Sequence, residues 1–186
     1  MKDLVLALEL STPHGSVAVA CGDRVLFEAE FHADRSHNAL LYRPLREALA
    51  AAGDRLMKVV VGTGPGSYTG VRIAIAAAQA IGLSRQVPVE GISSLPACLE
   101  DETFGIVGDA RRGRFYVAVV RERRLEENIL LIKPEELSAA MAQAGVERWV
   151  SCDAKPPVEG IPLAQPGASR LAALAAAANL TDTADK

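Results

Sequence analysis

The 186-residue sequence is poor in the residues that mark several common protein classes. It has three cysteines without a Cys-x-x-Cys pair, three histidines, and few aromatics: four Phe, three Tyr and one Trp. Because the cysteines lack the spacing of zinc ligands or of a disulfide-rich domain, a disulfide scaffold and a cysteine-rich zinc site are excluded. The pattern indicates a chain whose thiols are reduced. No run approaches the ~20 apolar residues of a membrane helix, and the apolar start is too short for a signal peptide. We therefore predict a cytoplasmic protein that does not contact the membrane.

Excess charge of either sign is also missing. The chain carries 20 Lys and Arg against 23 Asp and Glu, a net charge of −3. Such a chain lacks the basic surface of a protein that binds nucleic acid on its own. Alanine is abundant instead, with 32 residues in a hydrophobic fraction of 49%. This composition excludes disorder and predicts one domain, or two small lobes, with a substantial core.

The order of predicted elements indicates the fold class. The first half predicts three strands, a helix, a strand, a helix and a strand, over 4–10, 16–21, 25–31, 38–52, 57–62, 70–83 and 88–92. An antiparallel meander followed by αβαβ units is typical of a ribonuclease-H-like mixed sheet with helices on its faces.

The second half predicts a shorter version of the same order. Strands are expected over 104–109, 115–120, 129–132 and 148–152, and helices over 134–144 and 168–180. We therefore predict an α/β protein of two ribonuclease-H-like lobes, residues 1–100 and 101–186, in which the order βββαβα is repeated.

A glycine-rich turn joins the 57–62 strand to the 70–83 helix. Such a turn can hold phosphate through free backbone N–H groups at a helix N-terminus. Neither the G-x-x-x-x-G-K-[ST] nor the G-x-G-x-x-G pattern fits, however. The residues alone favour a tight structural turn with Ser67 or Thr69 as the helix N-cap. The turn residues are Gly64, Pro65, Gly66, Ser67, Tyr68, Thr69 and Gly70.

The helix after this turn is apolar on nearly every side. Between residues 71 and 83 only Arg72 and Gln79 are polar. A surface helix normally carries a broad polar face, so this helix needs cover on two sides. One side would face the sheet. The other would face a partner chain, or a second lobe if the helix is wedged between lobes.

Four segments carry a family resemblance. Residues 64–73, GPGSYTGVRI, are similar to a GPGSFTGxRI signature, and 6–19, LALELSTPHGSVAV, to LALDTST…SVAL. Residues 91–95, GISSL, and 109–116, DARRGRFY, match two further segments in the same order. On these segments the chain resembles the bacterial TsaB (YeaZ) family of tRNA threonylcarbamoyladenosine biosynthesis proteins over about its first 120 residues. It departs from the family where Glu9 replaces the first-strand Asp and Leu10 replaces the following Thr.

The resemblance implies an actin-like ATPase (ASKHA) fold and a non-catalytic role. The family pairs with its catalytic paralogue TsaD, and the pair works with the ATPase TsaE to place threonylcarbamoyl on the adenosine next to the tRNA anticodon. ATP and Mg²⁺ would serve that complex, with no cofactor expected on this chain. Family heterodimers join through two helices, here 38–52 and 70–83. The expected interface residues are Leu41, Leu45, Leu49, Arg72, Ile75, Ala76, Gln79 and Ala80.

Two other functions stay open. The chain could be an autonomous nucleotide-dependent phosphotransferase or acyltransferase of the same fold, with Glu9 and Asp109 as candidate Mg²⁺ carboxylates. It could also be a homodimeric interaction module. Peptidase activity and a metal site are not expected, because His14, His32 and His37 lack the i, i+4 spacing of zinc ligands.

Six arginines lie between residues 111 and 124. Arg111, Arg112 and Arg114 are the candidates for contact with tRNA phosphates. The alternative is a pair of solvated hairpin ends, which nearby glutamates and the lack of interleaved aromatics favour.

Overall fold

The computed structural model describes residues 4–33, 37–126 and 129–182, with only the backbone at 37–39 and 178–182. The chain forms two compact units, Met1–Ala97 with Pro166–Lys186, and Cys98–Gln165. The predicted second lobe, residues 101–186, differs from the second unit in its last segment, because residues from 166 onward make their contacts in the first unit.

The first unit is built on a five-stranded mixed sheet. Its strands are β1 (Leu4–Glu9), β2 (His14–Cys21), β3 (Arg24–His32), β4 (Leu56–Gly62) and β5 (Val89–Ile92), in the order β3-β2-β1-β4-β5. β1, β2 and β3 pair antiparallel, and β4 and β5 continue parallel to β1. Cys21 pairs with Arg24 across a two-residue turn that begins at Gly22, whose φ is 59°. This is the predicted meander followed by parallel strands.

Helices cover both faces of this sheet. α1 (His37–Ala52) and α2 (Tyr68–Arg85) lie over one face, and α4 (Ala168–Asp182) over the other. Alternation along the strands separates the two cores. Leucine and valine face α1 and α2, whereas the face under α4 is made mainly of small residues, such as Ala7 and Ala18, packed against Leu171. Alanine on both surfaces lets α4 lie close to the sheet.

The second unit repeats this topology with one strand fewer on its parallel side. It contains β6 (Phe104–Arg111), β7 (Arg114–Arg121), β8 (Arg124–Leu125), β9 (Leu130–Ile132), α3 (Leu137–Gln143) and β10 (Trp149–Val150). The strand order is β10-β6-β7-β8, and β9 also pairs with β7. Among the named strands of the described part of this unit, β10 alone pairs parallel, with β6, and an isolated parallel bridge joins Ser151 to Leu163. The short β8 was not predicted, since two residues carry no periodic signal.

The two sheets confirm the predicted α/β class. No helix within the described residues combines the length and apolarity that a membrane crossing requires.

Candidate functional site

The glycine-rich turn is shaped by the end of β1, which passes directly against it. A Cβ at Gly70 would lie 2.0 Å from the Leu10 carbonyl oxygen, and one at Gly66 would lie 2.1 Å from that of Ser11. Side chains cannot approach a carbonyl so closely, so glycine is required at both positions. Of the two predicted N-caps, Ser67 is the one observed, because its hydroxyl accepts a hydrogen bond from the Gly70 amide at 3.2 Å.

Several polar backbone groups of the turn form hydrogen bonds within the protein. The Ser67 amide donates to the Ser11 carbonyl at 2.6 Å, and the Gly64 amide donates to the Ser94 hydroxyl at 3.0 Å. The Gly64 carbonyl accepts from the Ser94 amide at 2.9 Å and from the Ser93 hydroxyl at 3.1 Å. The amides of Gly64, Ser67 and Gly70 are therefore already bonded and are not free donors for a phosphate, which favours the structural turn.

Glu9 ends β1 beneath this turn and is fully enclosed, with 0% of its surface exposed. Its Oε1 accepts from the Ser11 amide at 2.6 Å, and its Oε2 packs so tightly on Gly62 that a Cβ there would lie 1.9 Å away. Burial raises the pKa of Glu9 above its ordinary value. Hydrogen bonding by Ser11 and Ser94 lowers the pKa, but by less than burial raises it.

The surroundings of Glu9 do not fit a nucleotide-bound magnesium ion. Mg²⁺ keeps several waters and needs carboxylate oxygens that face open space, whereas the Glu9 oxygens face the backbone and Gly62. Among the residues that the structure describes, no group of three or more His, Cys, Asp or Glu side chains could hold a metal ion.

An open groove of about 610 Å³ lies between α1 and α2. Its rim carries Tyr42 and Tyr68, which are 71% and 74% exposed. Arg72 donates to the Tyr68 hydroxyl at 3.1 Å, and its guanidinium carbon is 5.3 Å from the centre of the Tyr68 ring, a cation–π contact. The groove is lined by Leu41, Tyr42, Leu45, Tyr68, Thr69, Arg72, Ile73, Ala76 and Ala77.

The rest of α2 continues this surface along one helix face. Ala74, Ala78 and Ile81 pack on the sheet. The opposite side of the helix is exposed. Its exposed residues follow the spacing i, i+4, i+7, i+8 and i+11, which places them in one stripe along the helix. We call it the α2 stripe: Arg72, Ala76, Gln79, Ala80 and Leu83.

The predicted interface residues divide between this surface and the core. Arg72, Ala76, Gln79 and Ala80 are exposed, and Ile75, Leu45 and Leu49 are half-buried. Leu41 is only 4% exposed and belongs to the core, touching the groove from below. Sequence reasoning missed Tyr42, Ile73 and Ala77. A large aromatic outside the apolar face of α1 is the signal that could have identified Tyr42.

The β6–β7 hairpin carries Arg111, Arg112 and Arg114, the candidates for contact with tRNA phosphates. The turn has φ values of 69° at Arg111, 55° at Arg112 and 71° at Gly113, a conformation that costs energy for arginine. Asp109 accepts from the Arg111 amide at 2.7 Å and lies 3.6 Å from its guanidinium. Arg112 and Arg114 are exposed, and no ion pair involves them within the described residues.

The chain is similar to characterised and uncharacterised proteins along most of its length. Residues 31–150 match the family model described as TsaD, tRNA N6-adenosine threonylcarbamoyltransferase. An uncharacterised protein from Mycobacterium tuberculosis is 34% identical over 195 residues, which cover 96% of this chain and 86% of the relative. The tRNA threonylcarbamoyladenosine biosynthesis protein TsaB from Escherichia coli is 30% identical over 162 residues, or 79% of this chain and 69% of TsaB.

Solved structures agree with the fold. A Pseudomonas aeruginosa protein described as similar to the peptidase YeaZ superposes with a TM-score of 0.77 at 26% identity, over 96% of this chain and 93% of its own. YeaZ from the same organism gives a TM-score of 0.74 at 24% identity, over 97% and 95%. These structures confirm the predicted actin-like ATPase fold.

Proposed function

Because the chain belongs to the TsaB (YeaZ) family, we propose that it acts in tRNA threonylcarbamoyladenosine biosynthesis as the non-catalytic partner of a TsaD-type threonylcarbamoyltransferase. The chain would dimerise with TsaD through the α1–α2 groove and the α2 stripe. The assembled complex, and not this chain alone, would work with TsaE and tRNA and would use ATP and Mg²⁺. We place this complex in the cytoplasm.

The observation that carries this proposal is the exposed apolar surface of α2. Small residues such as Ala76 and Ala80 allow a partner helix to approach closely, while Tyr42, Tyr68 and Arg72 surround the groove. Tyrosine and arginine, like tryptophan, are enriched at binding hot spots. A related helix pair on the TsaD paralogue fits such a surface, since the TsaD family model matches this chain across α1 and α2.

The enclosure of Glu9 argues against the autonomous transferase. That enzyme would need Glu9 open to Mg²⁺, whereas Glu9 is fully buried, with one carboxyl oxygen on the Ser11 amide and the other against Gly62. A second copy of this chain remains the competing occupant of the groove.

An Ala76→Glu variant tests the interface. A carboxylate placed in the apolar contact would be desolvated without a partner, so affinity for the TsaD paralogue of the same organism should fall on the order of 100-fold in titration calorimetry. Ala139→Glu, an exposed alanine on α3, is the matched control and should bind like the parent chain. Equal affinity of both variants would refute the interface.

Solution mass and nucleotide binding separate the alternatives. The proposal expects a heterodimer when the paralogue is added, and tRNA modification that requires this chain and is lost with Ala76→Glu at low protein concentration. A homodimer that persists in the presence of the paralogue favours the interaction module. Tight Mg-ATP binding by the isolated chain favours the transferase.

We also propose that Arg112 and Arg114 contact tRNA phosphates in the assembled complex. Each lost contact lowers the dependence of log affinity on log salt by nearly one unit. The double variant Arg112→Ser/Arg114→Ser should therefore reduce that slope by roughly one to two for the complex with tRNA. Arg24→Ser, on exposed β3, is the control. A slope identical to that of the parent complex would place the hairpin away from the tRNA.

A further inference from the structure

Two of the three cysteines, Cys98 and Cys152, have their sulfur atoms in contact within the second unit. The Sγ atoms of Cys98 and Cys152 are 3.4 Å apart, although the residues are separated by 54 positions in the sequence. Neither is in a disulfide. The third cysteine, Cys21, belongs to the first unit, at the end of β2.

The backbone on both sides of Cys152 is held in place. The Ser151 amide donates to the Pro162 carbonyl at 3.0 Å, and Ser151 is fully buried. The Cys152 carbonyl accepts from the Gln165 side-chain amide at 3.1 Å. Cys98 is the last residue of the 3-10 helix Leu95–Cys98. The hydrogen-bonded backbone around Cys152 and the short helix that ends at Cys98 bring the two sulfurs within 3.4 Å of each other.

The two thiols differ in access. Cys98 is 3% exposed, whereas Cys152 is half-buried and so the more exposed of the two residues. We therefore expect a reagent from solvent to meet Cys152 before Cys98. Burial raises the pKa of the Tyr116 phenol, and electrostatic interaction with Cys152, Asp153 and Cys98 raises it further, so this phenol stays protonated.

We propose that Cys98 and Cys152 form a thiol modification site in which Cys152 reacts with low-molecular-weight disulfides and Cys98 resolves the adduct into an intramolecular disulfide. This inference does not depend on the proposed function.

The reaction runs in two exchange steps. The Cys152 thiol loses its proton and attacks one sulfur of glutathione disulfide, and a glutathione thiolate leaves. The Cys98 thiol then loses its proton and attacks Cys152 Sγ, and the second glutathione leaves as a thiolate. Two protein thiols have together lost two protons and two electrons, and the two glutathione thiolates take up the two protons. One glutathione disulfide is reduced to two glutathione thiols.

The full chain equilibrated in glutathione redox buffers, alkylated and mapped by peptide mass spectrometry, tests the site. We expect a Cys98–Cys152 disulfide peptide without glutathione on either residue, and a separate glutathione adduct on Cys21. In Cys98→Ser, the Cys152 adduct should accumulate because the resolving thiol is gone. In Cys152→Ser, Cys98 should stay reduced. Cys21→Ser is the control and should form the same disulfide as the parent.

Thermal unfolding gives a second measurement. The disulfide would close a loop that contains β6 to β10 and should raise the melting temperature on the order of 10 °C. Cys98→Ser should show no such rise in the same oxidising buffer. A stable Cys152–glutathione adduct in the parent chain, no disulfide in a fully oxidising buffer, or a melting temperature that falls on oxidation would each overturn the proposal.

Discussion

At the scale of single residues, the burial of Glu9 determines whether the end of β1 can bind a metal ion. Its side chain is one methylene longer than the aspartate of the family pattern, and its carboxyl fills the space beside Gly62. The same enclosure that raises its pKa removes it as a metal ligand. A buried carboxyl at this point links β1 to the turn before α2 and so serves packing.

Glu9→Gln should change how stability depends on pH. Above about pH 4.5 the unfolded chain loses the Glu9 proton while the folded chain keeps it. The parent therefore loses folding stability as pH rises through this window, until the folded carboxyl ionises too. The variant lacks this contribution, so its stability relative to the parent should increase with pH.

Urea unfolding at a series of pH values from 4.5 upward measures this difference. Glu30→Gln, exposed on β3, is the control for loss of a carboxylate. A Glu9→Gln difference that stays constant with pH, or falls, would show that Glu9 ionises normally in the folded chain.

At the scale of elements, α2 combines a tightly specified start with an exposed side. Glycine at 66 and 70 lets the chain pass β1, and Ser67 satisfies an amide of the first turn. Beyond that turn, the helix divides into a face packed on the sheet and the α2 stripe. The start positions the helix, and the stripe remains available to a partner.

Ser67→Ala should destabilise the chain by about 1 kcal/mol, because the Gly70 amide loses its cap. Thr69→Ala tests the rejected cap candidate and should stay within about 0.5 kcal/mol of the parent. Urea denaturation of both variants measures the difference. Equal losses would show that Thr69 shares the capping role.

At the scale of the whole molecule, α4 connects the end of the chain to the first sheet. Leu171 is fully buried on the face that carries Ala7 and Ala18. The Ala168 amide donates to the Ser16 hydroxyl at 2.9 Å, which anchors the start of the helix to β2. The described side chains of α4 from Ala168 to Ala175 thus contribute to the first unit's core.

Leu171→Ala should loosen the first unit selectively. Removing a buried leucine costs about 2–5 kcal/mol, which should speed amide exchange in β1 and β2 on the order of 30-fold or more. β6 and β7 should change far less. Leu137→Ala, in the core of the second unit, is the matched control and should give the reverse pattern. Uniform acceleration across both sheets would contradict the assignment of α4.

The amino-acid sequence by itself determined the order of elements, the fold class and the family. Alternation, helical periodicity and turn residues are local signals, and the glycine signature is a local pattern too. Contacts between distant positions were decided by the tertiary structure. Such contacts place Glu9 against Gly62 and make Ser67, and not Thr69, the cap of α2. They also pack α4 in the first unit, form the groove beside Tyr42, and bring the sulfurs of Cys98 and Cys152 together. The physical reason is that burial and partnership depend on which surfaces meet, and no spacing along the chain specifies that.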